Sequence, residues 1–245
     1  MFSRTTDWPD HFALDIDGEP VAIAVKPNAR SRSYRLTIGR TGKPSLSVPL
    51  RGRVREVEAF LEKQRHWLAA RLARAPKPKP FVEGAIFPLR GEEIRIVGTS
   101  QLRGTISVIK GDIPRLLVPG GPEHMARRLT DWLKAEALTD LKDRTGFHAE
   151  RLGVKPAAIT LRSQSSRWGS CSSSKRLNYN WRLILAPPFV LDYVAAHEVA
   201  HLREMNHSDR FWALVEQTLP DMARGQAWLK AHGADLMTYG VEVPR

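Results

Sequence analysis

The sequence predicts an α+β fold, and three observations carry that expectation. Short runs rich in β-branched residues, broken by Pro, Asn and Gly, fill the first half of the chain. Apolar residues recur at helical spacing over about 122–149. A largely apolar segment follows Pro187-Pro188, as a buried helix requires.

In chain order, Val21–Val25, Tyr34–Ile38 and Leu46–Val48 read as strands, with turns marked by Asn28, Gly39 and Gly42. Val54, Val57, Leu61, Leu68 and Leu72 then share one face of a single amphipathic helix over about 53–74. Ala75-Pro76-Lys77-Pro78-Lys79-Pro80 follows. Alternating Pro removes backbone donors and holds the chain extended, so this stretch reads as a connector within one compact body. Alternation resumes over 85–98 and 105–118, through Ile94, Ile96, Ile106, Val108, Leu116 and Val118. The long helix of about 122–149 buries Met125, Leu129, Trp132, Leu133, Ala137 and Leu141. Ile159 and Leu161 alternate in a strand. Arg167–Lys175, rich in Ser and Gly, reads as a loop or hairpin, and Leu177–Leu183 as the returning strand. No sequence repeat is visible. The expected division is a β-rich unit over 1–118, including the 53–74 helix, and a second unit over 119–245.

Composition excludes several classes. With 42% hydrophobic and 26% charged residues, the 245-residue chain is neither a disordered tail nor a membrane protein. Its longest mostly apolar stretch, Leu183–Leu191, is far short of the ~20 residues of a bilayer span. The first twelve residues hold no apolar core of a secretory signal. A single Cys allows no internal disulfide and no CxxC metal knuckle, which points to a cytoplasmic setting. The net charge is +12, and residues 1–80 carry 16 Lys/Arg against 8 Asp/Glu. That excess serves solubility, or else affinity for a nucleotide or nucleic acid.

The chemistry is concentrated in Ala196-His197-Glu198-Val199-Ala200-His201. Two His at i and i+4 lie on one helix face, where both imidazoles reach one metal ion. Glu198 leans to the side of that face and reaches a water there without ligating. His207 follows His201 by six residues. It supplies a third ligand if the chain bends back, with Asn206 as a bending residue that tolerates the left-handed conformation. Asp209 and Glu216 are the alternative third ligands. Three His with one open position and no Cys favour zinc, one per chain. The spacing is that of the metzincins, but Glu204 stands where they place a turn-forming Gly, so the bend must differ.

Arg162, Arg167, Lys175, Arg176 and Arg182 precede this helix within 21 residues. They form either a solvated hairpin or an anion-binding wall beside the metal. Arg167 is the best oxyanion or substrate candidate, with Arg182 and Tyr193 behind it; Tyr193 lies one turn before His197 and reads first as a core residue. Cys171 reads as a structural thiol, Phe211 and Trp212 as core residues clamping the His207 loop, and Met205, Met222 and Met237 as packing. Glu204, Asp209 and Glu216 are candidates for orienting a ligand His.

Arg167-Trp168-Gly169-Ser170-Cys171-Ser172, Asn180-Trp181-Arg182-Leu183, Val190-Leu191-Asp192-Tyr193-Val194 with His197-Glu198-xx-His201-Leu202, and Asn206-His207-Ser208-xx-Phe211-Trp212 together resemble the YgjP-like (DUF45) metallopeptidase family. That family is related to SprT-like and M48-type zinc peptidases. The resemblance covers essentially the whole chain. It implies a zincin-like catalytic unit, His197, His201 and His207 as zinc ligands, and Glu198 as catalytic base. A SprT-type zinc ribbon is absent, because there is one Cys. The expected function is therefore a zinc-dependent metallopeptidase that hydrolyses peptide bonds of a peptide or protein substrate with a metal-activated water. An antiparallel strand near 157–183 would align the substrate. The alternatives are a metal-dependent nucleotide hydrolase gripping phosphates through the Arg cluster, or a non-enzymatic polyanion-binding protein with a structural metal.

Overall fold

The computed structural model describes residues 6–39, 42–74, 77–164 and 167–241. Two compact units emerge, Met1–Lys77 and Pro78–Arg245.

In the first unit, β1 (His11–Ile16), β2 (Glu19–Asn28), β3 (Arg35–Ile38) and β4 (Pro44–Pro49) form a sheet of order β1-β2-β4-β3. β1, which periodicity left unassigned, pairs with β2 through a two-residue turn. Asp17 (φ 54°) and Gly18 (φ 86°) both adopt the left-handed conformation that such a hairpin needs. Leu14, Ile23, Leu46 and Val48 bury one face against Val57, Leu61 and Leu68. The expected single helix is broken in two, α1 (Val54–Lys63) and α2 (Arg65–Ala73). At the break, the Gln64 N–H is shared between the Phe60 and Leu61 carbonyls, tightening the turn.

The second unit starts well before residue 119. β5 (Ile86–Leu89), β6 (Glu92–Gly98), β7 (Ser107–Ile109) and β8 (Arg115–Val118) form a sheet of order β5-β6-β8-β7. Its Phe87, Ile94, Ile96, Leu116 and Val118 share one buried cluster with Met125, Leu129 and Leu133 of α3 (Pro122–Arg151). That shared core is why the chain divides near 77 and not at 118. Of the Pro-rich connector, Ala75 and Pro76 lie outside the described residues. Lys79 bonds through its backbone to Thr238 and Gly240 and through its ammonium to Asp235, so this end of the connector is built into the second unit.

The two four-stranded sheets share one topology, each with a parallel central pair and each followed by helix. Each also opens with a hairpin whose two turn residues have positive φ, Asp17-Gly18 and Arg90-Gly91. The repeat escapes notice in the sequence because strand order constrains periodicity and not residue identity.

A third sheet of order β10-β11-β9 comprises β9 (Ala158–Arg162), β10 (Gly169–Cys171) and β11 (Arg176–Asn180). The expected hairpin is present, with Lys175 (φ 58°) in its turn. The returning strand stops at Asn180 and not at Leu183. The Asn180 side chain accepts the Arg182 N–H and starts a 3-10 turn over Trp181–Leu185. α4 (Pro188–Ala200), α5 (Asp209–Thr218) and α6 (Met222–Leu236) complete the unit. α4 is apolar all round because it is buried on most sides, with Val190, Val194, Ala195, Ala196, Val199 and Ala200 at most 3% exposed. Gly225 lets α6 approach it: a Cβ there would collide with Tyr193 and come within 3.2 Å of the Phe189 carbonyl. Among the described residues no helix is long and apolar enough to cross a membrane.

Candidate metal centre

α4 delivers His197 and His201 one turn apart and then ends. The N–H groups of Leu202 and Arg203 bond to the carbonyls of Val199 and Ala200, tightening the last turn, and the chain leaves the axis. The bend before His207 is made by the Asn206 side chain, which accepts the Ser208 N–H at 3.0 Å. Asn206 is not in the left-handed region; an Asx turn does the bending instead. α5 follows at once, and Phe211 in its first turn is fully buried against all three imidazoles, with ring centroids 4.8, 4.4 and 4.8 Å from His197, His201 and His207. The expected clamp is therefore a wedge beneath the three rings.

One ring nitrogen from each of His197, His201 and His207 lies within 4.8 Å of the other two. Nε2 of His207 is 3.1 Å from Nε2 of His197, close to the ~3.3 Å tetrahedron edge that Zn–N bonds of about 2.0–2.1 Å imply. His201 Nδ1 donates to the Glu204 carbonyl at 3.0 Å, leaving its Nε2 lone pair free. Glu204 thus orients a ligand candidate, through its backbone. Burial, with His201 and His207 alongside, pushes His197 down to about 3, so its imidazole is neutral and can ligate. Burial likewise lowers His201. The donor set fits a divalent ion with nitrogen preference. Asp209 and Glu216 are exposed, and neither joins the cluster among the described residues.

Beside the triad is a cleft of about 340 Å³, walled by α4 and Met205 on one side and by Arg167 and Gly169–Cys171 on the other. Glu198 lies in it, 5% exposed, with Oε2 buried and unpartnered among the described residues. Burial pushes its carboxyl up to about 8, against the lowering field of Arg167; a cation next to it favours the ionised form. Gly169 explains how the carboxylate reaches this place. A Cβ there would overlap Glu198 Oε1 and stand 2.6 Å from its Cγ. Gly169 is not in the left-handed region, so its value is space, not backbone freedom. Gly169→Ala is therefore expected to displace Glu198 and lower kcat about 100-fold with metal content unchanged. Wild-type turnover in that variant would show that the close approach is dispensable.

The remaining sequence candidates separate. Arg167 lines the cleft; Arg182 and Tyr193 do not. Arg182 is buried, its Nε donating to the Tyr239 carbonyl at 2.8 Å and its guanidinium 4.6 Å over Trp181. Tyr193 packs edge-on to His197, at 5.9 Å between centroids, with Gly225 behind it. Arg162 turns toward Asn178, and Lys175 and Arg176 are exposed on the hairpin, so the basic cluster does not converge on the cleft. Cys171 lines the wall, and burial followed by the Glu198 charge pushes its thiol up, away from nucleophilic use. Met205 stands at the cleft, while Met237 is buried and its sulfur faces the Asn180 amide at 3.4 Å. A larger hollow of about 590 Å³ between α3 and the start of α4 holds no His, and its Arg90 and Arg144 are paired with Asp140 and Asp192. The chemistry therefore points to the smaller cleft.

No curated protein matches the chain. A solved structure, the metallopeptidase zymogen abylysin of Pyrococcus abyssi, is similar at 18% identity and a TM-score of 0.34, over 38% of this chain and 92% of that one. The profile of the YgjP-like metallopeptidase domain matches residues 32–232. That span takes in β10, the HExxH helix, the His207 bend and α5. The chain belongs to the YgjP-like family of metallopeptidase domains.

Proposed function

We propose that the protein is a zinc-dependent metallopeptidase with one zinc per chain, held by His197, His201 and His207. One observation carries the reading. Three imidazoles with converging nitrogens share a cleft with the buried carboxylate of Glu198, whose Oε2 has no partner among the described residues. Zinc, when bound, supplies Lewis acidity toward water and the peptide carbonyl. Glu198 takes the proton of the attacking water and returns it to the leaving amine. Among the described residues β10 is an edge strand, and it lies beside α4, so its outer side can pair with an extended peptide and bring a carbonyl over the cleft. Arg167 faces the charge that develops on the carbonyl oxygen.

A peptide fits better than a nucleotide, because Arg167 is the one member of the basic cluster that lines the cleft. The test is an assay of zinc-loaded protein against peptide and nucleoside triphosphate panels, with and without a chelator. We expect chelator-sensitive peptide cleavage, and Arg167→Ala lowering kcat more than it raises KM, since its contact strengthens in the transition state. Metal-dependent triphosphate hydrolysis with no peptide cleaved would overturn the reading.

A further inference from the structure

His207 stands on an exposed bend with no helix of its own, so its distance from His197 and His201 depends on what holds α5. Phe211 holds the first turn of α5. Its last turn is held by a polar bridge that the proposed chemistry does not use. His148 of α3 is fully buried, with Nδ1 2.8 Å from Thr218 Oγ1 at the end of α5 and Nε2 2.8 Å from Asp192 Oδ1 on α4. Thr218 is 3% exposed, and Asp192 lies five residues before His197.

We propose that His148 and Thr218 are positioning residues of the metal centre, tying α5 to α4 so that His207 meets His197 and His201. The inference rests on the His triad holding the metal. Asp192 accepts the Nε2–H, which leaves Nδ1 to accept the Thr218 hydroxyl hydrogen. The bridge has the connectivity of a hydroxyl–imidazole–carboxylate triad, but its burial seals the hydroxyl from any substrate, so its role is placement. Apolar side chains could fill this space equally well, but they would not fix how α5 is rotated and translated against α4; two directional hydrogen bonds on opposite sides of a rigid ring do. The placement matters because metal–ligand distances tolerate only about 0.2 Å. Arg144 donates to the same Asp192 oxygen but is itself on α3. It therefore ties α3 to α4 and leaves α5 out, which provides a control.

The test uses the full chain and measures Zn(II) affinity by competition with a chromogenic chelator, beside thermal stability of the apo-protein. Thr218→Val keeps shape and removes the hydroxyl; we expect zinc affinity to fall ~10-fold, as for loss of a residue that orients a metal site. Thr218→Ser should restore affinity to within ~3-fold of wild type, and Arg144→Met should stay within the same range although it too loses thermal stability. Undiminished affinity in Thr218→Val, or an equal fall in Arg144→Met at matched stability, would overturn the inference while wild-type zinc binding leaves the metal reading standing. A wild-type protein that binds no zinc overturns both.

Discussion

Glu198→Gln is expected to keep its metal and lose turnover at least ~100-fold, the low end for removing a positioned general base. The argument rests on the surroundings of the side chain. The carboxylate is 5% exposed, Oε2 has no partner among the described residues, and the backbone of β10 at Gly169 presses against it. Gln has the same shape, so it fits beneath Gly169 as Glu does. It cannot accept a proton, so the attacking water keeps its own. The three imidazoles are untouched, and metal content should equal that of the wild type. Burying a neutral amide in place of a carboxyl that burial already disfavours should leave the melting temperature no lower. Kinetics of the zinc-loaded variant beside elemental analysis decide the matter. A Gln variant that turns over normally would remove Glu198 from the mechanism.

The second large effect is expected at His207. His207→Ala should weaken zinc binding by more than the roughly 10–100-fold that losing a group hydrogen-bonded to a ligand costs, because a ligand itself is removed. His197 and His201 would remain as a two-nitrogen site. His207 is exposed, so the unfolding free energy of the apo-protein should stay within about 0.5 kcal/mol of wild type. Wild type should instead gain stability with added zinc, since a ligand that binds only the folded state stabilises it by mass action. Loss of that zinc-dependent rise in melting temperature, with an unchanged apo value, is the signature sought. Full zinc retention in His207→Ala would show that another residue is the third ligand.

Legibility in the sequence followed the range of the interaction. HExxH could be read because i and i+4 are neighbours on any helix, whatever surrounds it. The stripe Met125–Leu129–Leu133–Ala137–Leu141 could be read because one face of α3 meets the core throughout. The alternation in β6 and β8 marked strands correctly, yet did not reveal which unit they joined; that depends on Ile96 and Leu116 meeting α3 in one cluster. α5 and α6 passed unassigned, and so did the bridge from Asp192 through His148 to Thr218, whose members are 44 and 70 residues apart in sequence.

By itself, then, the sequence determined the α+β class, the helix that carries two candidate metal ligands and a Glu, and His207 as the ligand candidate next in line, since each follows from local spacing. The tertiary structure alone decided which basic side chain reaches the cleft. The sequence ranks Arg167 ahead of Arg162, Arg176 and Arg182, but spacing along the chain cannot place any of them; of the four, Arg167 lines the cleft, while Arg182 turns inward to the Tyr239 carbonyl. It also decided why Gly169 has no side chain, because the atom that would collide with a Cβ there belongs to Glu198, on an element far along the chain. The physical reason is common to both. Spacing along a helix or strand fixes which way neighbouring side chains point, whereas approach between elements is fixed by packing, and packing depends on residues that sequence distance does not relate.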